Sequence, residues 1–274
     1  MANQGAGSML CPDCGQLISV NAEVCIHCGR RNPSRFGLAP FLRRFLGDIG
    51  FTQTIIGFCV IVYVLSLLID PATILRPRSF FSILGPSPRS LDALGATGTY
   101  AMAHGRWWTL ITAIYLHGGL LHIFFNLMWI RQLAPAVEEF FGPARLVLIF
   151  TIAGVAGFIA SNFMGIPFTI GASGSVFGLL GAVVYYGRSR GGAFGTAIFQ
   201  QTLQWTLIGF MFGFFMPGIN NWAHGGGFAG GYLTAMLLGY TEKRRETFAM
   251  QMAAAGAIGL TIAAFGMVAW NLFF

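Results

Sequence analysis

The chain has 274 residues, of which 55% are hydrophobic and only 9% charged. Soluble domains carry roughly 25% charged residues, so this composition excludes an ordinary water-soluble globule and points to a chain dissolved mostly in lipid. The net charge of +7 is spread over several segments rather than gathered in one patch, which argues against a nucleic-acid partner.

Residues 1–33 form a small polar unit holding four of the five cysteines. Cys11-Pro12-Asp13-Cys14 and Cys25-Ile26-His27-Cys28 are two CxxC pairs separated by ten residues, each followed by a glycine, Gly15 and Gly29. Two tight knuckles of this kind bring four thiolates onto one tetrahedral Zn²⁺. The spacing therefore predicts a short zinc ribbon with Cys11, Cys14, Cys25 and Cys28 as ligands. Disulfides and a redox CxxC are the competing readings, and a reducing cytoplasmic location disfavours the first. His27 reads as a bystander between ligands, and Cys59 as a small apolar residue of the first span. A closed Cys₄ site offers no open coordination position. The unit thus reads as a docking or regulatory module with structural zinc, awaiting a protein partner, and no cofactor is expected for catalysis.

In residues 34–48, Phe36, Leu38, Phe41, Leu42, Phe45 and Leu46 alternate with Arg35, Arg43 and Arg44. That is the pattern of a helix in the inner membrane interface, or of a plain basic linker. Residues 49–250 then read as a six-span core and 251–274 as a seventh helix. A span needs about 20 apolar residues, and seven candidates lie near 51–69, 119–140, 144–164, 171–187, 197–216, 222–240 and 252–274. Arg30, Arg31, Arg35, Arg43 and Arg44 precede the first. Arg131 and Arg145 flank the connection after the second, Arg188 and Arg190 follow the fourth, and Lys243, Arg244 and Arg245 follow the sixth. By the positive-inside bias the N-terminus is cytoplasmic and the C-terminus outside.

One connection runs against this pattern: 70–106 carries Arg76, Arg78, Arg89 and Arg106. With Trp107, Trp108 and Tyr115 close by, the stretch 70–118 is expected to form one or two short helices half-sunk in the outer leaflet, or in part to extend the second span. No signal peptide is visible, and the basic N-terminal region suits a bacterial plasma membrane.

Polar side chains inside spans are costly and face a bundle interior or a watery cavity. His122 and Asn126 lie in the first two turns of the second span, Ser173 in the first turn of the fourth, and His224 in the first turn of the sixth. Even-numbered spans run from outside to inside, so all four share one depth near the outer face. Gly174, Gly178 and Gly181 give the fourth span a bare stripe, as Gly227 and Gly231 do for the sixth. Small residues spaced by four let membrane helices pack backbone to backbone. If these stripes meet, Ser173 and His224 come within hydrogen-bond reach. Taken singly, each motif also fits a plain packing face with a serine bonded to its own helix. His122 and Asn126, four residues apart, share a helix face and can both donate to a developing oxyanion. No Asp or Glu lies near them to make a triad. His117 reads as structural, bonded to loop backbone.

His122-x-x-x-Asn126, Gly171-Ala172-Ser173-Gly174 and Ala223-His224-x-x-Gly227-x-x-x-Gly231, in that order on spans two, four and six, resemble the rhomboid intramembrane serine proteases over roughly 51–240. The resemblance implies an all-α polytopic fold, a six-helix core with one extra C-terminal helix. It also implies roles: Ser173 as nucleophile, His224 as general base, and His122, Asn126 and the Ser173 backbone N–H as oxyanion hole. Phe177 would pack on the histidine ring, where tyrosine is common in relatives, and Gly174, Gly178, Gly227 and Gly231 would pack the helices.

The implied activity is a serine endopeptidase in the bilayer. It would cut membrane proteins near the outer face, at segments whose helices are weakened by glycine or proline. Relatives often carry Trp-Arg before the second span; here Trp108 is followed by Thr109, with Arg106 ahead of the Trp107-Trp108 pair as a substitute anchor. The mobile part would be the fifth span, with Gly209, Gly213 and Pro217. A non-catalytic scaffold would be expected to lack the serine or histidine, and a transporter to bury ionisable residues deep in several spans.

Overall fold

The computed structural model describes residues 8–11, 14–19, 22–29, 50–73, 83–216 and 218–273. The connector 34–48, the arginines from Arg30 to Arg44, Arg76, Arg78 and Pro217 lie outside them. Residues Met1–Gly50 and Phe51–Phe274 form two separate compact units.

In the first unit, β1 (Ser8–Leu10) and β2 (Leu17–Ser19) pair antiparallel, with Leu10 opposite Leu17 and Ser8 opposite Ser19. Each CxxC turns through its glycine. The Gly15 N–H donates to the Cys11 carbonyl at 2.8 Å and the Gly29 N–H to the Cys25 carbonyl at 2.9 Å. Both glycines hold positive φ, +68° and +77°, a conformation that a Cβ disfavours. Ile18, Cys11 and Cys25 are the buried centre of this unit.

The second unit is helical. Its elements are α1 (Phe51–Ile69), the short helices α2 (Pro88–Ala93), α3 (Thr99–Ala103) and α4 (Thr109–Thr112), then α5 (Leu120–Phe141), α6 (Pro143–Phe163), α7 (Ser173–Arg190), α8 (Gly192–Phe215), α9 (Asn221–Leu238) and α10 (Phe248–Phe273). Among the described residues four helices, α1, α5, α6 and α10, are long and apolar enough to cross a membrane. The other three long helices depart from that rule for distinct reasons. The short α7 is walled in by α5, α6, α8 and α9, with residues from Gly174 to Gly187 mostly buried, so it needs no apolar coat. Helix α9 is rich in glycine where it lies against α7 and α6. Helix α8 has 24 residues but carries Gln200, Gln201 and Gln204 at mid-length, all exposed.

Helices α7 and α9 touch through backbone. A Cβ on Gly227 would strike the Gly174 carbonyl, and one on Gly231 would strike the carbonyl and Cα of Gly178. On its other side α9 meets α6 the same way, with Gly226 against Ala160 and Ala156, and Gly157 against the Ala223 carbonyl. The C-terminal end of α7 and the N-terminal end of α8 also approach closely at Gly187 and Gly195.

The segment before α5 forms short helices, and much of it is enclosed by neighbouring helices. It folds as α2, α3, α4 and a 3₁₀ turn at Ala113–Tyr115, and its second half is core: Ala113, Ile114 and Leu116 have no exposure. The reason is a second apolar cluster in which Leu91, Leu94, Trp108 and Leu116 meet Val62 of α1 and Ala264 and Val268 of α10. Only Trp107 stays outside, 60% exposed. Nor does the segment extend the second span, because Leu116 is extended and the helix begins only after Gly118 and Gly119.

Arg106 pins α2 by donating to the Asp92 carboxylate at 2.9 Å and the Asp92 carbonyl at 2.6 Å. The Thr109 hydroxyl bonds to Thr97 Oγ1 at 3.0 Å.

Arg145, one of the two arginines that flank the connection after the second span in the sequence, is fully buried. Its guanidinium donates to the carbonyls of Phe141, Arg244 and Arg245 at 2.6, 2.6 and 3.1 Å. Glu246 Oε1 accepts the backbone N–H of Ala144 and Arg145 at the start of α6. A carboxylate on orphan N–H groups at a helix N-terminus is stabilising. This pair ties the α9–α10 connection to the α5–α6 turn.

Gly231→Val forces methyl groups into the Gly178 backbone and is expected to destabilise the membrane unit by about 3 kcal/mol, the upper end for overpacked cores. Gly256→Ala, in open space on α10, should leave the thermal midpoint in detergent unchanged or raised. Equal midpoints for Gly231→Val and the unmodified chain would contradict the contact.

Candidate active site

Ser173 opens α7 directly after an extended approach. The Thr169 N–H and carbonyl pair with Thr97 at 2.7 and 3.2 Å, and the Gly171 N–H donates to the Ala113 carbonyl at 2.8 Å. Gly171 has φ +118°, and a Cβ there would come within 2.6 Å of His122 Nε2. Glycine at this position lets the strand pass the imidazole and deliver Ser173 beside it.

Across the glycine interface, His224 Nε2 and Ser173 Oγ stand 3.0 Å apart. The His224 ring lies flat on Phe177, with centroids 4.2 Å apart and planes 12° from parallel. Phe210 of α8 meets both rings edge-on or tilted, and Gly209 lies directly over Phe177. The remaining histidine nitrogen, Nδ1, is buried with no partner among the described residues. Aromatic contact thus holds a ring that no carboxylate holds.

His122 and Asn126 sit one turn apart on α5. The Gly118 backbone N–H donates to His122 Nδ1 at 3.1 Å. A ring nitrogen that accepts cannot carry the proton of a neutral imidazole, so that proton is on Nε2, the nitrogen beside Gly171. The Asn126 carboxamide donates one N–H to the His122 carbonyl at 2.8 Å, leaving its second N–H unspent. Neither residue hydrogen-bonds to Ser173 among the described contacts. His117 is fully buried, with Nδ1 3.2 Å from the Tyr115 carbonyl and its ring 5.1 Å from His122. Burial and the neighbouring imidazole push its pKa well below the ordinary histidine range, so it is neutral.

One residue at this site was not singled out in the sequence. Asn220 caps α9: its Oδ1 accepts the Ala223 N–H at 3.2 Å, and its carbonyl accepts the His224 N–H at 3.2 Å. Its Nδ2 donates to Ser161 Oγ of α6 at 2.5 Å and to Thr169 Oγ1 at 3.1 Å. One side chain therefore joins the turn that carries His224, the strand that leads to Ser173, and α6. The signal was available, since asparagine is a preferred cap and this one stands four residues before a histidine.

The cysteine cluster has the dimensions of a metal site. Its four sulfurs lie within 4.8 Å of one another, with Cys11–Cys28 at 3.7 Å and Cys14–Cys25 at 3.6 Å. A tetrahedron with Zn–S of about 2.3 Å has edges of about 3.8 Å. Burial raises the Cys25 thiol pKa, but backbone N–H groups of His27 and Cys28 and neighbouring thiols outweigh it and bring it down to about 6. The donor set fits structural zinc.

The family model described as "Rhomboid domain" matches residues 104–241. This chain belongs to the rhomboid family. Its relatives include Rhomboid protease GluP of Bacillus subtilis (strain 168), 39% identical over 151 residues, which are 55% of this chain and 30% of GluP. The protein YdcA of the same strain is 34% identical over 147 residues, 53% of this chain and 73% of YdcA. The family also holds a protein named Inactive RHOMBOID-like protein 8, from Arabidopsis thaliana, 30% identical over 151 residues, 53% of this chain and 42% of its own length. The chain thus spans less than a third of GluP but most of YdcA. A rhomboid chain with these apolar helices is an integral membrane protein.

Asn220→Ala should cost about 2 kcal/mol, from the lost cap and the two hydroxyls left without their donor. Asn220→Asp keeps the cap acceptor and loses the donors, so its thermal midpoint is expected between the two.

Proposed function

We propose that this chain is an intramembrane serine endopeptidase acting through a dyad of Ser173 and His224. The observation that carries this reading is the 3.0 Å approach of His224 Nε2 to Ser173 Oγ. His224 takes the hydroxyl proton as Oγ attacks the scissile carbonyl, then returns it to the leaving amine as the acyl–oxygen bond remains on Ser173. Water, deprotonated by the same nitrogen, hydrolyses the acyl-enzyme and frees Ser173. The oxyanion is received by Nε2–H of His122, the free N–H of Asn126 and the Ser173 backbone N–H, donors fixed before charge develops. Phe177 orients the base by stacking. Gly174, Gly178, Gly227 and Gly231 act by bringing the two helices together.

The site residues head α5, α7 and α9, while Arg188, Arg190, Lys243, Arg244 and Arg245 lie toward the opposite ends. With basic connections inside, the N-terminus is cytoplasmic, the C-terminus outside, and cleavage occurs near the outer face. Substrates are membrane proteins whose spanning helix unwinds easily, because a helical carbonyl is already hydrogen-bonded and glycine or proline weakens that bonding. Entry is between α5 and α8, where Trp129 and Trp205 meet edge to face at 5.9 Å; a cross-link there should stop cleavage.

Residues 1–33 are proposed as a zinc ribbon for docking a protein partner, 34–48 as its basic connector, 49–250 as the catalytic core and 251–274 as an added helix.

With a single-span model substrate in detergent, Ser173→Ala and His224→Ala are expected to lower cleavage by at least about 10⁴-fold. His122→Ala and Asn126→Ala should each lower it roughly 100-fold. A fluorophosphonate should label the unmodified chain and not Ser173→Ala. An unmodified chain inert to both probe and substrate would overturn the proposal.

For the ribbon, the full-length protein should carry one zinc per chain. Cys14→Ser with Cys25→Ser should bring that near zero while fluorophosphonate labelling persists; loss of labelling would instead tie the metal to the site.

A further inference from the structure

The outward face of α8 carries two carboxamides among otherwise apolar residues. Gln200 and Gln204 lie at the ninth and thirteenth of its 24 residues, near mid-span. Both are exposed, and neither makes a hydrogen bond to another described residue. A spanning helix with no packing partner there has no reason to present carboxamides, because hydrocarbon offers nothing to pair with them.

The direction of this face is fixed by its neighbours. Thr202 and Thr206, buried against α7, follow Gln200 and Gln204 by two residues, which puts the glutamines roughly 160° round the helix. Trp205, in contact with Trp129 of α5, lies between the two directions, so the glutamines point a further 100° or so beyond it. A helix entering between α5 and α8 would meet the tryptophan side. Gln200 and Gln204 look away from the bundle, whereas Gln201, also exposed, turns roughly 100° from Gln200 toward the tryptophan side and is no part of this face.

The exposed residues along this face, Ala193, Ala197, Gln200, Gln204, Leu207 and Met211, follow the alternating four-and-three spacing of a left-handed helix pair. Small residues occupy its inner end, and a shallow groove lined by Gln200, Leu203, Gln204, Leu207 and Met211 runs along its middle. We propose that this face is a homodimer interface, the α8 helices of two copies packing in parallel about a two-fold axis normal to the membrane. Two copies in one bilayer share their orientation, so each glutamine meets its own counterpart. A carboxamide is self-complementary: its N–H donates to the partner's oxygen and its oxygen accepts in return. Polar residues at such seam positions also fix register, and interhelical bonds of this kind hold helices together in lipid.

The test uses the full-length chain reconstituted in phosphatidylcholine vesicles at high dilution, with energy transfer read between two dye-labelled populations. The unmodified chain should associate. Gln200→Leu with Gln204→Leu, which makes the face more lipid-compatible and so preserves insertion, should weaken association about tenfold. The control Leu260→Ala, on the exposed side of α10, should leave it unchanged. In parallel, a photo-crosslinking amino acid replacing Gln204 should join two copies of the chain. Equal energy transfer for the unmodified chain and the double variant would overturn the proposal. So would a crosslink made only to a co-reconstituted single-span substrate, which would assign the face to substrate instead.

Discussion

Where Gly174 meets Gly227 and Gly178 meets Gly231, no side chain stands between α7 and α9. The carbonyls of Gly174 and Gly178 lie where a Cβ on Gly227 or Gly231 would have to stand, so the two helices are as close as their backbones permit. Side chains on helices packed at ordinary separations would hold the facing ends apart. Here the first turns of both helices converge, and a serine on one meets a histidine on the other at 3.0 Å. The third helix of the group, α6, closes on α9 by the same device. Lipid provides no hydrophobic drive for this association. It rests on dispersion between well-fitted backbones, which is why one added methyl matters so much.

Among the described residues no carboxylate meets the free ring nitrogen of His224. In a three-membered arrangement a carboxylate orients the imidazole and stabilises its charged form. Here the ring is set by a flat contact with Phe177, itself held between Phe210 and Gly209. Stacking fixes orientation but gives the buried Nδ1 no acceptor. His122 is treated differently, since a backbone N–H settles its tautomer. Two imidazoles of one site are thus positioned by two unrelated kinds of contact.

The long helices and the cysteine spacing were legible because each rests on local periodicity. A 3.6-residue repeat and a CxxC spacing are written in consecutive residues. The packing of the segment before α5 was not, because Leu91, Trp108 and Leu116 owe their burial to α1 and α10, far away in sequence. The burial of Arg145 was hidden for a related reason. A basic residue beside a span reads as a surface charge until Phe141 and the carbonyls of Arg244 and Arg245 are brought around it. Asn220 hid among turn residues, and only the fold places Ser161 and Thr169 within its reach. Hydropathy, too, ranks helices by exposure to lipid, so it undervalues α7, which is enclosed by its neighbours.

The Gly187–Gly195 approach gives the bundle a fulcrum. At that end α7 and α8 are in backbone contact, so neither can slide without losing it, while the opposite end of α8 meets the site through Gly209 and Phe210 and the start of α9 through Gly213. Gly209 lies 14 residues from Gly195, a lever arm of about 21 Å at 1.5 Å per residue. A rotation of roughly 5° about the fulcrum displaces Gly209 by about 2 Å over that arm, enough to lift it off the Phe177 ring while the near end hardly moves. Were α8 to pivot as a stiff rod about this contact, a small angular fluctuation would suffice to uncover the ring against which His224 is stacked.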